Sequence, residues 1–184
     1  MATERLLLRP PEDADVDRLL SLRTRPEVTH WLIRPHVDPA TYRADLLRAT
    51  REGDDHDVVA VLDGELVGTG WLGVRDGLAQ GGGTPDLARE GRLGYVIDPA
   101  HAGRGLATEM ARALLDIGFG QLGLRRVTAG CYADNVASWH VMERLGMRRE
   151  QHGLADSWHA ELGWVDGFTY ALLREEWPAR TGAA

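Results

Sequence analysis

The first 53 residues carry the pattern of one strand followed by two helices. The opening stretch TERLLLRPP (residues 3–11) alternates weakly and ends in prolines, which indicates a strand. Apolar residues then recur at helical spacing over 13–32, a pattern that Pro26 interrupts. A second amphipathic helix is predicted over 38–53, with Pro39 near its first turn.

The middle of the chain predicts three strands. Two β-rich runs within 56–74 flank Asp63-Gly64, and an Asp-Gly pair in this setting is a strong hairpin signal. The run GRLGYVIDP (91–99) predicts a third strand. Between them, residues 76–89 are glycine-rich and show no periodicity, so we expect a mobile surface loop there.

Helices and strands alternate in the second half. A helix is predicted from Gly105 to about Gln121, with an apolar stripe made of Leu106, Met110, Leu114 and Ile117. A strand over 124–133 and a helix over 135–145 follow, and Gly146 ends that helix. Residues 159–177 predict two further strands around a turn at Asp166-Gly167.

The resulting order is β, α, α, β-hairpin, β, α, β, α, β, β, in a single domain over residues 1–184. Only residues 92–132 have the strand–helix–strand pattern of a parallel crossover. The fold class is therefore predicted to be mixed α/β (α+β), with largely antiparallel strands, one central βαβ unit and flanking helices.

Composition limits the possible functions. The formal net charge of −7 argues against nucleic acid as a partner, and no apolar run approaches the roughly 20 residues that span a membrane. Cys131 is the only cysteine, which excludes an internal disulfide and makes a cytoplasmic location the expectation. The seven histidines form no metal-binding motif, so no metal is expected. The chain has no lysine, and Asn135 is its only asparagine.

The stretch HAGRGLATEM (101–110) places two glycines at the start of a predicted helix. A helix start exposes about four N–H groups and carries roughly half a positive charge, so it binds a pyrophosphate where no side chain blocks it. Gly103 and Gly105 would leave this backbone bare, although they would equally suit a tight turn with positive φ. GRGLAT also begins like a dinucleotide-binding fingerprint, but Thr108 replaces its third glycine.

The stretch GRGLATE (103–109) resembles the acyl-CoA turn of the GCN5-related N-acetyltransferases (GNAT). The pattern of that turn is Gln or Arg, two residues of any type, Gly, one residue of any type, and then Gly or Ala. Gly105 and Ala107 match the last two elements, whereas Ala102 stands where Gln or Arg is usual. Four segments resemble the branch that contains the ribosomal-protein N-terminal acetyltransferases. They are TERLLLRP, LGYVIDP, DNVASWHVMERLGM and VDGFTYALLREEW.

The resemblance implies a GNAT fold and an N-acetyltransferase that moves an acetyl group from acetyl-CoA to a primary amine within a ternary complex. It places the cofactor on the strand before the turn, on the turn and on the next helix start. These residues are Tyr95, Val96, Ile97, Asp98, Ala102, Gly103, Arg104, Gly105, Leu106, Ala107, Thr108, Asn135 and Ser138. The backbone N–H of Val96 or Ile97 would also stabilise the oxyanion.

The same resemblance suggests catalytic residues. Many members carry a Tyr as general acid on the helix that begins here at Asn135, but Met142 occupies that position and cannot donate a proton. Ser138 is the alternative acid, and Asn135 is expected to cap the helix and to bind pantetheine or substrate. Glu90 is the candidate base, although Arg92 occupies the commoner place, and His101, Asp134 and His159 are further candidates.

The sequence leaves the acceptor open. Trp31, Trp158 and His159 are candidates for the substrate cleft. Near pH 7 about a tenth of an α-amine is neutral, against a few parts in about ten thousand for a lysine amine, so an enzyme without an evident strong base suits α-amines such as protein N-termini. Small amines such as polyamines remain alternatives, as does a regulatory acyl-CoA-binding protein without catalysis. The family resemblance also implies a homodimer.

Overall fold

A computed structural model describes residues 1–52, 55–78 and 89–178 of the chain. Seven strands form one sheet in the order β1-β2-β3-β4-β5-β7-β6. The strands are β1 Leu7–Arg9, β2 Asp55–Leu62, β3 Glu65–Asp76, β4 Arg89–Ile97, β5 Arg126–Tyr132, β6 Arg148–His159 and β7 Gly163–Leu173. The α-helices are α1 Val16–Arg23, α2 Pro26–Thr29, α3 Pro39–Glu52, α4 Leu106–Asp116 and α5 Val136–Arg144.

One pair of neighbouring strands, β4 and β5, is parallel, and all the others are antiparallel. Helix α4 connects β4 to β5 and so forms the crossover that a parallel pair requires. This arrangement confirms the predicted mixed sheet with one central βαβ unit. It also brings the end of β4, the start of α4 and the start of α5 to the same region of the sheet.

Helices cover both faces of the sheet. On one face α4 and α5 pack over the main core, where Leu106, Met110 and Leu114 of the predicted stripe are at most 1% exposed. On the other face α1, α2 and α3 pack over β2, β3 and β4 through smaller apolar clusters. Helices therefore pack against β3 and β4 from both sides of the sheet.

Two predicted turns had different outcomes. Asp63 and Gly64 have positive φ values of 50° and 84° and connect β2 to β3, as predicted. The predicted turn at Asp166-Gly167 is wrong, because both residues lie inside β7 and the β6–β7 hairpin turns just before Gly163. Gly167 serves a different purpose there: a Cβ on it would approach Ser157 Oγ to 2.5 Å, so the position leaves room for side chains from β6.

Segment boundaries differ in two further places. The first predicted helix is divided by the residues around Pro26 into α1 and the short α2, since Pro26 begins a new helix rather than continuing the first. The predicted loop over 76–89 falls almost entirely outside the described residues, with β3 extending to Asp76 and β4 beginning at Arg89.

A buried carboxylate fastens α1 and α2 to the end of β4. Asp98 is 1% exposed, and its oxygens accept hydrogen bonds from Arg18 and Arg25, both at 2.6 Å, and from the Ala100 amide at 2.9 Å. Burial alone would raise the pKa of Asp98, but these three donors outweigh it and hold the pKa below its usual value. Asp98 therefore fixes where β4 ends and the following turn begins.

We expect Leu114→Ala to lower the free energy of unfolding by about 3 kcal/mol, because it leaves a cavity where α4 meets the sheet. Leu114 is fully buried, whereas Leu154 is 76% exposed, so the same change at Leu154 is a matched control that should cost little. Urea denaturation of both variants measures the difference. Equal losses of unfolding free energy in the two variants would contradict the assignment of Leu114 to the core.

Asp98 also predicts an acid dependence of stability. Because its pKa is lowered in the folded state, its contribution is complete above the unfolded pKa of about 3.9 and disappears as the pH falls through the folded value. Asp98→Asn should destabilise the protein by about 3 kcal/mol at pH 7 and should flatten the decline in stability below about pH 4. Asp17→Asn, an exposed acid on α1, is the control. Urea titrations at pH 7 and pH 3.5 provide the test, and an unchanged pH dependence in the Asp98 variant would refute it.

Candidate active site

The parallel strands β4 and β5 separate from each other after three residue pairs. Their ladder covers only Glu90 to Arg92 of β4, opposite Arg126 to Thr128 of β5. Beyond that point β4 still pairs with β3, and β5 still pairs with β7. A gap therefore opens in the middle of the sheet, bordered by backbone edges that have no neighbouring strand.

Strand geometry decides which groups of β4 face this gap. The Asp98 amide donates to Val67 of β3 at 2.8 Å, so the even-numbered residues of β4 point their backbone groups toward β3. Odd-numbered residues point theirs the other way, as the Gly91 carbonyl shows by accepting a hydrogen bond from the Thr128 hydroxyl of β5 at 3.2 Å. The N–H of Ile97 thus faces the gap, and that of Val96 does not.

The glycine turn at the top of the gap exposes a row of backbone amides. Gly103 and Gly105 both have positive φ, 74° and 78°, and Gly105 is the N-cap of α4 without any side-chain cap. Within the described residues, none of the amides from Gly103 to Thr108 donates to a protein acceptor, whereas the Ala102 amide donates to Pro99 at 3.1 Å. The predicted cradle is therefore one residue shorter than the sequence suggested.

Space in front of the turn is open. A Cβ added to Gly103 would meet no atom within 4 Å, and one added to Gly105 would meet only Arg5, at 3.6 Å. At the first turn of α4 the Thr108 hydroxyl is buried without a partner among the described residues. Free amides, positive helix end and open space fit a diphosphate such as that of CoA.

A contact from the N-terminal segment holds this turn in place, and no pattern along the chain predicted it. Glu109 accepts hydrogen bonds from the Thr3 hydroxyl at 2.5 Å and from the Arg5 amide at 2.7 Å, and pairs with the Arg5 guanidinium. Arg5 in turn donates to the Arg104 carbonyl at 2.8 Å. The Arg104 side chain is exposed and bonds the His101 ring at 3.1 Å.

Three polar side chains meet beside the gap. The Tyr95 hydroxyl donates to the Ser138 carbonyl at 2.9 Å and lies 3.2 Å from the Ser138 hydroxyl. Cys131 of β5 interacts with the same hydroxyl. Burial raises the pKa of Tyr95 far above its usual value and that of Cys131 to about 11, so both stay protonated near neutral pH.

Asn135 confirms its predicted role as a helix cap. Its side-chain oxygen accepts from the Ser138 amide at 3.2 Å and fixes the start of α5. Ser138 therefore sits in the first turn, next to the gap. Met142, one turn further, is 1% exposed and belongs to the main core.

Glu90 does not join this group. It lies in the paired section of β4, five residues or about 16 Å before Tyr95. Its carboxylate bonds Arg125 at 2.5 Å and lies 3.8 Å from Arg126. The structure thus separates the predicted base from the predicted acid.

A cleft of about 280 Å³ adjoins the gap. The residues lining it come from four strands and the segment after α2: Ile33, Arg92, Gly130, Cys131, Tyr132, Asp156, Ser157, Trp158, Gly167, Phe168 and Thr169. Trp158, a predicted substrate residue, is 59% exposed on its wall. Through Cys131 the cleft reaches the three polar side chains beside the gap.

The other two predicted substrate residues lie behind this cleft. His159 is 4% exposed, its Nε2 donates to the His30 carbonyl at 2.7 Å, and its Nδ1 accepts the Glu161 and Leu162 amides. Because a carbonyl only accepts and amides only donate, the ring is fixed as one neutral tautomer. Trp31 packs beside it, 6.1 Å between ring centroids. Both residues hold the wall that carries Trp158.

Two features are absent from the described residues: a metal-binding cluster and a helix suited to crossing a membrane. No group of three or more His, Cys, Asp and Glu residues there is arranged to hold a metal ion. None of the helices in the described ranges is both long and apolar enough to cross a membrane. A metal-free mechanism, a cytoplasmic location and a dimer stay predictions.

Known proteins are similar to this chain in sequence. YnaD of Bacillus subtilis, an uncharacterized N-acetyltransferase, is 38% identical over 86 residues, which are 46% of this chain and 49% of YnaD. The match therefore spans about half of that relative. The uncharacterized N-acetyltransferase p20 of Bacillus licheniformis is 28% identical over 183 residues, covering 95% of this chain and 96% of p20.

Solved structures match over nearly the whole chain. A GNAT-family acetyltransferase from Bacillus anthracis has a TM-score of 0.76 and 28% identity, covering 96% of this chain and 99% of its own. Two more share the fold at 18% identity. One is spermidine N-acetyltransferase from Vibrio cholerae in complex with CoA and spermine, with a TM-score of 0.79 over 94% of this chain and 97% of its own. The other is RimL, a ribosomal L7/L12 alpha-N-protein acetyltransferase in complex with coenzyme A, with a TM-score of 0.77 over 94% of this chain and 96% of its own.

A family model for the acetyltransferase (GNAT) domain matches residues 5–148. This range includes the glycine turn, the gap between β4 and β5, and the first turn of α5. The sequence, the sheet and the turn therefore agree, and the chain belongs to the GNAT family of acetyltransferases.

Proposed function

We propose that this protein transfers an acetyl group from acetyl-CoA to a primary α-amine by direct attack. The observation that carries the proposal is the row of free amides from Gly103 to Thr108 at the top of a gap that leads to Ser138. A pyrophosphate on those amides directs the pantetheine arm into the gap. The thioester then lies between β4 and the start of α5.

The open edge of β4 would hold the pantetheine arm. Backbone groups of Tyr95 and Ile97 face the gap and are available to its amides, which aligns the thioester with the acceptor. Of the two amides named as oxyanion donors from the sequence, only that of Ile97 points the right way. Such a donor is worth about 10²–10³ in rate.

Ser138 is the proposed donor for the leaving thiolate. The neutral amine attacks the thioester carbonyl and forms the C–N bond. As the C–S bond breaks, the Ser138 hydroxyl gives its proton to sulfur and regains one from the ammonium group through water. Tyr95 positions this hydroxyl from the neighbouring strand. Cys131 does not act as a covalent relay, because its raised pKa keeps the thiol protonated.

Several observations favour an α-amine acceptor. Glu90, the candidate base, lies about 16 Å along β4 from Tyr95, which contacts Ser138, and it is paired with arginine, so it is not placed to act as a strong base there. An acceptor that is already partly neutral near pH 7 needs no such base. RimL, whose fold is shared, is named for a protein N-terminal substrate, which supports the same class.

A small-molecule acceptor is the second candidate, because the same fold also occurs in a spermidine acetyltransferase. A regulatory protein that binds acyl-CoA without catalysis is the third. Release of free thiol from acetyl-CoA, measured separately with peptides and polyamines, distinguishes all three. The regulator would bind acetyl-CoA and release no thiol.

The cradle predicts a selective loss of cofactor affinity. Gly103→Ala should weaken acetyl-CoA binding at least about tenfold, because the methyl group enters the space in front of the free amides. Gly146→Ala is the matched control, since Gly146 has a similar φ of 80° and equally open surroundings at the end of α5. Calorimetric titration with acetyl-CoA gives both affinities. Equal affinities in the two variants would exclude this turn as the binding site.

Catalysis should depend on the Ser138 hydroxyl. Ser138→Ala is expected to lower kcat about 10²-fold with little change in the KM for acetyl-CoA, and Tyr95→Phe about fivefold, because it removes one neutral hydrogen bond. Ser21→Ala, on the exposed side of α1, serves as the control. Steady-state thiol release measures all three. A Ser138 variant as fast as the parent would remove Ser138 from the mechanism.

A further inference from the structure

Two side chains of opposite charge line the cleft and have no ion-pair partner among the described residues. The Asp156 carboxylate, on β6, accepts a hydrogen bond from the Ser157 hydroxyl at 2.8 Å, and both Asp156 and Arg92, on β4, are exposed. The rest of the lining is backbone, small polar groups and apolar side chains such as Ile33 and Trp158. A cleft of this kind offers one anionic and one cationic contact to whatever enters it.

Asp156 is held in the cleft by a local distortion of β6. The pairing of β6 with β7 is interrupted between Gly153 and Ser157, and Ala155 has a φ of 45°. Asp166 stabilises this conformation, because it accepts the Ala155 amide at 2.9 Å and the His152 ring at 2.6 Å. Strain at a residue other than glycine persists only where the surroundings impose it, and it is common at functional sites.

Two glycines make room for the Asp156 carboxylate. It lies across the backbone of Gly153 and Gly167, and a Cβ on Gly167 would come within 2.6 Å of its Oδ1. Any side chain at these positions would displace it. The bulge, the Asp166 contact and the bare glycines together give Asp156 one position on the cleft wall.

Arg92 reaches the cleft from the opposite side. It is the last β4 residue paired with β5, so it stands where the gap begins. Alternation along β4 places its side chain on the same face as Val96, which packs against α1 and α2, and therefore opposite α4. Two strands, β5 and β7, separate β4 from β6, so the two charges lie across the cleft from each other.

We propose that Asp156 and Arg92 bind the acceptor at two points and select a primary amine that also carries an anionic group. Asp156 accepts a hydrogen bond from the neutral amine, and Arg92 binds the carboxylate. The acceptor is thus an amino acid or a peptide N-terminus with an acidic neighbour. This inference rests on the proposed function, because it concerns the acceptor of that transfer.

Arg92 also argues against polyamines. A polyamine carries positive charge along its whole length, and a guanidinium in the cleft repels it and has nothing to bind. In the sequence, Arg92 occupies the place where the family commonly has a glutamate. In the cleft the same residue supplies a contact that selects for negative charge.

The test compares matched acceptors. Phenylalanine is paired with phenylalaninamide, and the peptide amide Ser-Glu-Ala-Ala with Ser-Gln-Ala-Ala, so that the anionic group lies at two distances from the amine. Spermidine is the cationic reference. Thiol release gives kcat/KM for each acceptor with the parent protein, Arg92→Gln, Asp156→Asn and the remote charge controls Arg75→Gln and Asp17→Asn.

The parent should prefer the anionic member of at least one pair by about tenfold, as expected for a hydrogen bond to a charged group. Arg92→Gln should abolish that preference while leaving the neutral member within about threefold, and Asp156→Asn should raise the KM for both members with little change in the KM for acetyl-CoA. The control variants Arg75→Gln and Asp17→Asn should change neither the anionic preference nor the KM for the acceptors. Preference for spermidine, or an anionic preference that survives Arg92→Gln, would overturn the inference. If acetyl-CoA neither binds nor releases thiol with any amine, the proposed function fails instead.

Discussion

The separation of β4 from β5 after only three residue pairs is the constraint on which the site depends. A sheet normally satisfies its backbone groups with neighbouring strands, and here the edges of two central strands are left without one. Those edges can bind a ligand only because both strands remain paired on their outer sides. The rigid part of the sheet thus holds the incomplete part open.

The elements around the gap are each fixed by a polar contact. Asp98 ties the end of β4 to α1 and α2, Glu109 ties the start of α4 to the N-terminal segment, and Asn135 fixes the start of α5. None of these contacts uses the amides from Gly103 to Thr108, which stay free to bind a ligand. A preorganised cradle loses less free energy on binding than a flexible one.

The two faces of the sheet divide the proposed chemistry. The glycine turn and Ser138 belong to the elements packed around α4 and α5, whereas Arg92 and Asp156 lie along the cleft that adjoins the gap. Cofactor and acceptor would approach the reacting carbon from different directions. This geometry suits direct attack in a ternary complex, because neither reactant has to leave before the other enters.

The sequence by itself determined the order of elements, the parallel crossover, the glycine turn and the cap at Asn135, because each rests on local spacing or backbone preference. Only the tertiary structure decided what nonlocal contacts bring together. It placed Tyr95 against Ser138, moved Glu90 out of the site, buried His159 as a support and brought Arg92 and Asp156 to one cleft. Their positions depend on strand order and on the bulge in β6, and neither can be read from spacing along the chain.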